Sequence, residues 1–163
     1  MSSIYKNLSD FSDINIPSAK GYRFGIVVAE WNREITESLY EGAAQTLLLH
    51  GAEQSAITRI NVPGSFELTA GAEMLAAKGS YDALICLGCV IQGETRHFEF
   101  ICQAVASGLT QLTVKYGKPF VFGVLTPDTM QQALDRAGGK HGNKGDEAAV
   151  TAIKMAALAR QLS

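Results

Sequence analysis

The residues best suited to chemistry lie in one run, Leu87-Gly88-Cys89-Val90-Ile91-Gln92-Gly93-Glu94-Thr95-Arg96-His97. Residues 83–87, the apolar stretch leading into it, have the length and aliphatic character of a buried strand. Two glycines and a polar turn follow, and a helical pattern opens near Phe98. A strand that breaks at glycines and feeds a helix leaves backbone N–H groups pointing outward at the positive end of the helix dipole. Phosphate or another anion suits that place. His97 falls in the first helical turn beside it, and imidazole is the side chain that carries protons in either direction near neutrality. Taken alone, such a histidine serves equally well to satisfy a backbone carbonyl.

Two other readings of the run fail. Gly88 to Thr95 fits Gly-x-x-x-x-Gly-x-Thr, the P-loop spacing, but Glu94 stands at the lysine position. Without that cation nothing neutralises the outer phosphates of a nucleoside triphosphate. Cys86 and Cys89 form Cys-x-x-Cys, yet three residues apart on a strand they point to opposite faces. The one further cysteine, Cys102, completes no zinc set, so no metal is expected.

Positioning this run needs a folded domain, and the composition supplies one. The chain has 163 residues, 47% hydrophobic and 18% charged, enough to bury a full core. A net charge of −2 gives no basic stripe for nucleic acid. No apolar run approaches the roughly 18–20 residues of a membrane span, and residues 1–20 carry no signal-peptide core. Three cysteines in strand-like and helix-like segments read as reduced, buried thiols, and the expected location is the cytoplasm.

The elements alternate. Residues 1–22 read as an irregular N-terminal arm that orders only against a neighbour, and 23–163 as one domain. Within it, strands are expected over 23–30, 55–61, 83–90 and 120–125, and helices over 35–50, 66–78, 98–116, 129–137 and 146–162. Ile35, Leu39, Ala43, Leu47 and Leu48 form the inward stripe of the first helix, and Gly51 ends it. Asp128 caps the short fourth helix. A glycine-rich loop over 138–145 precedes the last, whose Val150, Ile153, Met155 and Leu158 pack inward. The pattern predicts an α/β, single-domain αβα sandwich: a flavodoxin-like four-stranded parallel sheet with helices on both faces.

In such sheets ligands sit beyond the carboxyl ends of the strands. Those ends are followed by Trp31-Asn32, Val62-Pro63-Gly64-Ser65-Phe66-Glu67, Gln92-Gly93-Glu94-Thr95 and Thr126-Pro127. One rim thus gathers an aromatic face, a carboxylate, an anion cradle and an acid–base histidine. The set suits a flat polar heterocycle carrying a polyol, beside a small phosphorylated partner. Singly, Trp31 reads as a packing aromatic, Glu67 as a solvated first-turn carboxylate, and Arg136 as a cation closing a helix. Their coincidence carries the functional reading.

These residues resemble the lumazine synthase family. The likeness runs from about Arg23 to the C-terminus. It includes Trp31-Asn32 with Ile35-Thr36, Val62-Pro63-Gly64-Ser65-Phe66-Glu67, Leu87-Gly88 with Val90-Ile91-Gln92-Gly93-Glu94-Thr95, and His97-Phe98. Farther on come Phe122-Gly123-Val124-Leu125-Thr126, Gln132-Ala133 with Arg136-Ala137-Gly138, and Gly142-Asn143-Lys144-Gly145.

The resemblance implies a cofactor-free condensation in riboflavin biosynthesis: 5-amino-6-(D-ribitylamino)uracil and 3,4-dihydroxy-2-butanone 4-phosphate give 6,7-dimethyl-8-ribityllumazine, phosphate and water. By the family pattern, Trp31 stacks on the pyrimidine. Asn32, Ser65, Phe66 and Glu67 bind ring and ribityl groups, with the backbone of Cys89, Val90 and Ile91 along the ring edge. Backbone N–H groups at Glu94 and Thr95 and the guanidinium of Arg136 hold phosphate, and His97 shuttles protons. Phe122 and Arg136 arrive from an adjacent subunit, and Lys144 reaches the site as well.

It further implies a homo-oligomer, a pentamer. The short loop 138–143 is similar to that of members that close into an icosahedral 60-mer, and riboflavin synthase is a candidate partner. Gln92 departs from the pattern, since many relatives carry Arg or Lys there. A non-catalytic flavin or lumazine carrier, a shell protein with a vestigial pocket and an FMN carrier are the rival readings. Joint retention of Glu67, His97 and Arg136 argues against the first two, and the Pro63–Glu67 segment, which FMN binding does not need, against the third.

Overall fold

A computed structural model describes residue 7 and residues 9–163. Strands β1 (Phe24–Ala29), β2 (Ile57–Val62), β3 (Ala83–Cys89) and β4 (Phe120–Leu125) alternate with helices α1 (Arg33–Leu49), α2 (Leu68–Lys78) and α3 (His97–Tyr116). Beyond β4 come α4 (Met130–Asp135), a small antiparallel pair of β5 (Ala137–Gly139) and β6 (Gly142–Asn143), and α5 (Lys144–Gln161). The main sheet is wholly parallel in the order β2-β1-β3-β4, the α/β architecture expected from the alternation.

Period-two alternation sorts the central strands between two cores. Phe24, Ile26, Val28, Ile85 and Leu87 pack under α1 and α5 with Ile35, Leu39, Ala149 and Ile153. Val27, Ala29, Leu84 and Cys86 pack under α2 and α3 with Leu68, Ala72, Val105 and Leu109. Cys86 and Cys89 therefore face opposite cores, as strand geometry requires. Helices cover both faces, so β1 and β3 are apolar along their whole length.

Several ends differ from the sequence reading, each for a local reason. The α1 terminus does not: Gly51 ends it as expected, in a Schellman motif in which Ala52 N–H donates to Leu47 O and Gly51 N–H to Leu48 O, both at 3.0 Å. Thr129, not Asp128, caps α4, its hydroxyl accepting from Gln132 N–H at 3.2 Å while Gln132 Oε1 takes the Asp128 N–H at 2.8 Å. The expected loop 138–145 is instead a hairpin followed at once by helix. Asn143 Oδ1 accepts from Gly145 N–H at 2.7 Å, which starts α5 at Lys144 rather than Asp146. Residues 55 and 56, expected to open the second strand, belong instead to a 3-10 turn over Gln54–Ala56.

Leu48, Met155 and Leu158 are exposed rather than inward, and alanines take the inward positions of α5. Small side chains there let α5 approach α1 closely. The arm also differs from expectation. Ala19 and Tyr22 are buried in the chain's own core, Ile16 packs against it, and Ser9 bonds to Asn143. Residues 1–6 and 8 of the arm lie outside the described residues. No described helix is long and apolar enough to cross a membrane.

Candidate active site

The sheet's switch point lies between β1 and β3, whose chains leave in opposite directions: β1 feeds α1 on one face, and β3 feeds α3 on the other. A cleft of about 780 Å³ opens beside it, within the range of small-molecule sites. Trp31 and Asn32 enter from the end of β1, and Gly64, Ser65, Phe66 and Glu67 from the turn after β2. Cys89, Val90 and Ile91 come from the end of β3, and His97, Phe100 and Ile101 from the first turns of α3.

Backbone packing brings these four segments together. A Cβ at Gly88 would sit 2.6 Å from Ser65 Oγ and 2.9 Å from Leu68, so the β2–α2 turn reaches β3 only because position 88 has no side chain. Glu30 N–H donates to Val62 O at 2.9 Å and Trp31 N–H to Pro63 O at 3.2 Å, extending the β1–β2 ladder into the rim. Asn32 takes a left-handed backbone, φ 57°, the one positive φ outside glycine among the described residues. From there its side-chain amide donates to Cys89 O at 2.9 Å and bridges the switch point.

The polar groups left for a ligand are few and specific. Val90 N–H is committed to Leu125 O at 2.8 Å and Cys89 O to Asn32, which, among the described residues, leaves the carbonyl of Val90 and the peptide of Ile91 along this edge. Ser65 Oγ is buried and has no protein partner among the described residues. Trp31 and Phe66 are largely exposed at 73% and 55%, and His97 lies open to solvent. Two aromatic faces and a histidine around an apolar floor suit a flat ring better than a compact anion.

The sequence-predicted residues divide in three. Trp31, Asn32, Ser65, Phe66, Glu67, Cys89, Val90, Ile91 and His97 line this cleft together. Glu94 and Thr95 form the exposed turn before α3, where Thr95 Oγ1 accepts from His97 N–H at 3.4 Å. Phe122 and Lys144 do not reach the cleft. They line a second hollow of about 460 Å³ at the free edge of β4, between α3 and α5. Glu147 lines it too and holds Arg136 Nη2 at 2.6 Å and Lys144 Nζ at 3.3 Å.

The sequence reading missed Phe100 and Ile101, although three and four residues beyond His97 on one helix they had to share its face. It also missed Glu147, the common acid of Arg136 and Lys144. No described cluster of His, Cys, Asp and Glu has the makings of a metal site.

Comparison with known proteins identifies the family. A model of the 6,7-dimethyl-8-ribityllumazine synthase family matches residues 21–160. The chain is 64% identical to the 6,7-dimethyl-8-ribityllumazine synthase of Cytophaga hutchinsonii, over 96% of this chain and 98% of that one. It is 56% identical to that of Parabacteroides distasonis, over 95% and 97%, and 54% identical to that of Porphyromonas gingivalis, over 98% and 99%. The chain belongs to the 6,7-dimethyl-8-ribityllumazine synthase family.

Proposed function

We propose that this chain catalyses the condensation its family is named for, joining 5-amino-6-(D-ribitylamino)uracil to 3,4-dihydroxy-2-butanone 4-phosphate, with the pyrimidine seated in the β1–β3 cleft. The observation that carries the seating is the convergence on one cleft of Trp31, Asn32, the Ser65–Glu67 turn and His97. Trp31 and Phe66 stack on the ring, and Glu67 accepts from ribityl hydroxyls. His97 donates a proton to the hydroxyl that leaves as the imine forms, and then serves proton transfers as phosphate is eliminated. Holding two reactants together lowers the barrier further by removing the entropy of encounter.

The phosphate ligand is Arg136. Nη1 donates to His141 O at 2.9 Å and Nη2 to Glu147, so the planar fork is held in place with donors to spare. Within one chain that guanidinium belongs to the β4-edge side, away from His97. A complete site therefore takes the His97 cleft from one copy and Phe122, Arg136 and Lys144 from the next. That arrangement favours a ring of copies, a pentamer by the family pattern. The tight Gly138–Asn143 hairpin favours the 60-mer. Riboflavin synthase, which would use the product, is the partner this reading names, and the cytoplasm its location.

Mixing the protein with both substrates and following product absorbance and fluorescence tests the reading, with His97→Ala in parallel. Product that forms with the wild type and slows in the variant is the expected result. No product from the folded wild-type protein would leave a lumazine-binding or shell protein instead.

A further inference from the structure

The arm touches the part of the fold that carries Arg136. Asn7 Oδ1 accepts from Ser9 N–H at 2.9 Å, a turn that presents the Ser9 hydroxyl to β6. That hydroxyl accepts from Asn143 N–H at 2.7 Å and donates to Asn143 O at 3.0 Å, taking both backbone groups of one residue that is 9% exposed. Gly142, at φ +85°, leaves room for this contact. A Cβ there would fall 2.7 Å from Ser9 Oγ and against Asn7 Oδ1. Asn143 in turn caps α5, and its Nδ2 donates to Ser38 O at 2.9 Å. The next residue, Lys144, donates its N–H to Arg136 O at 2.9 Å.

We infer that Ser9 is a positioning residue for the phosphate half-site: it clamps Asn143, and through the β5–β6 hairpin sets the backbone from which Arg136 and Lys144 reach out. The inference rests on the reading of Arg136 as the phosphate ligand. The arm is thereby part of the site's scaffold although no described arm residue lines either hollow. Without the hydroxyl, two backbone groups at a buried position seek water and the hairpin loses its fixed edge. A guanidinium fork displaced by even a fraction of an ångström holds a phosphate poorly.

Steady-state kinetics of the full chain decide it, with Ser9→Ala, Ser9→Thr and Arg136→Ala compared with wild type. Ser9→Ala is expected to raise KM for the phosphorylated ketone by roughly tenfold, leaving KM for the pyrimidine near wild type, while the unpaired backbone groups lower the melting temperature by a few degrees. Ser9→Thr, which keeps the hydroxyl, restores the low value. Faster hydrogen exchange of the Asn143 and Lys144 amides in Ser9→Ala reads the clamp apart from catalysis. An unchanged ketone KM in Ser9→Ala beside a raised one in Arg136→Ala overturns the inference alone. Equal loss for both substrates overturns it in favour of a merely structural role. An unchanged ketone KM in Arg136→Ala removes the phosphate reading itself, and the inference with it.

Discussion

The side chain of Asn32 donates to the carbonyl of Cys89 across 2.9 Å, tying the ends of β1 and β3 at the switch point from a left-handed backbone of φ 57°. Only glycine, asparagine and aspartate accept that conformation readily, and only asparagine also supplies the donor. Asn32→Ala should therefore lower unfolding free energy by about 2 kcal/mol, combining backbone strain with a lost hydrogen bond. Asn32→Gly should cost about half as much, since it relieves the strain and loses only the bond. Urea unfolding separates the two, and equal losses would deny the strain.

Glu147 holds Arg136 and Lys144 at once, with side chains that are about one-fifth exposed or little more. Its removal leaves two cations facing each other at a half-buried site. Glu147→Ala is expected to cost about 1 kcal/mol after solvent screening and to raise KM for the phosphorylated ketone. Arg136→Ala should raise that KM more, and Arg136→Lys should recover only part, because an ammonium lacks the two-pronged geometry. Full recovery by lysine would reduce the role of Arg136 to bare charge.

His97 stands on the first turn of α3 with its face of the helix turned to the cleft, beside Phe100 and Ile101. Its loss should slow turnover by about 10²–10⁴-fold and leave a measurable rate, since positioning of the two substrates survives. Single-turnover measurements on His97→Ala check this. A rate within a factor of a few of wild type would take the proton shuttle away from His97.

Burial raises the thiol of Cys86 to about 12 and that of Cys89 to about 11, from an ordinary 9.0. The folded chain holds these protons more tightly than the unfolded chain does. The stability this represents is complete below about pH 9 and is lost as pH rises through 11 and 12. The urea midpoint should fall between pH 8.5 and 10.5, and Cys86→Ala should flatten that fall whatever it does to stability at neutral pH. Parallel slopes in the two proteins would exclude the thiol as the cause.

Much of the cleft was legible because its parts are local. A strand that ends at Cys89, a turn and a helix opening at His97 are contiguous, and the parallel alternation alone sends four such ends to one rim. The Phe100–Ile101 wall is equally local, since residues three and four beyond His97 share its face of α3. Glu147 is a different case. It is eleven residues from Arg136, and only the β5–β6 hairpin folds the chain back so that the two meet. Asn143 likewise reads in the sequence as one residue of a glycine-rich loop, and only the folded chain places its side chain as the cap of α5.

By itself the sequence determined the alternation of strands and helices, the parallel sheet and the run of residues that faces a substrate. Those depend on periodicity and on turn chemistry between near neighbours. Tertiary structure alone decided that Asn32 bridges β1 to β3, that Arg136 shares Glu147 with Lys144, and that this group lies at the β4 edge apart from His97. It alone decided that Ser9 closes on Asn143, 134 residues away. Contacts of that kind leave no period in a chain, because they are set by where packed elements finally sit and by which buried polar groups remain to be paired.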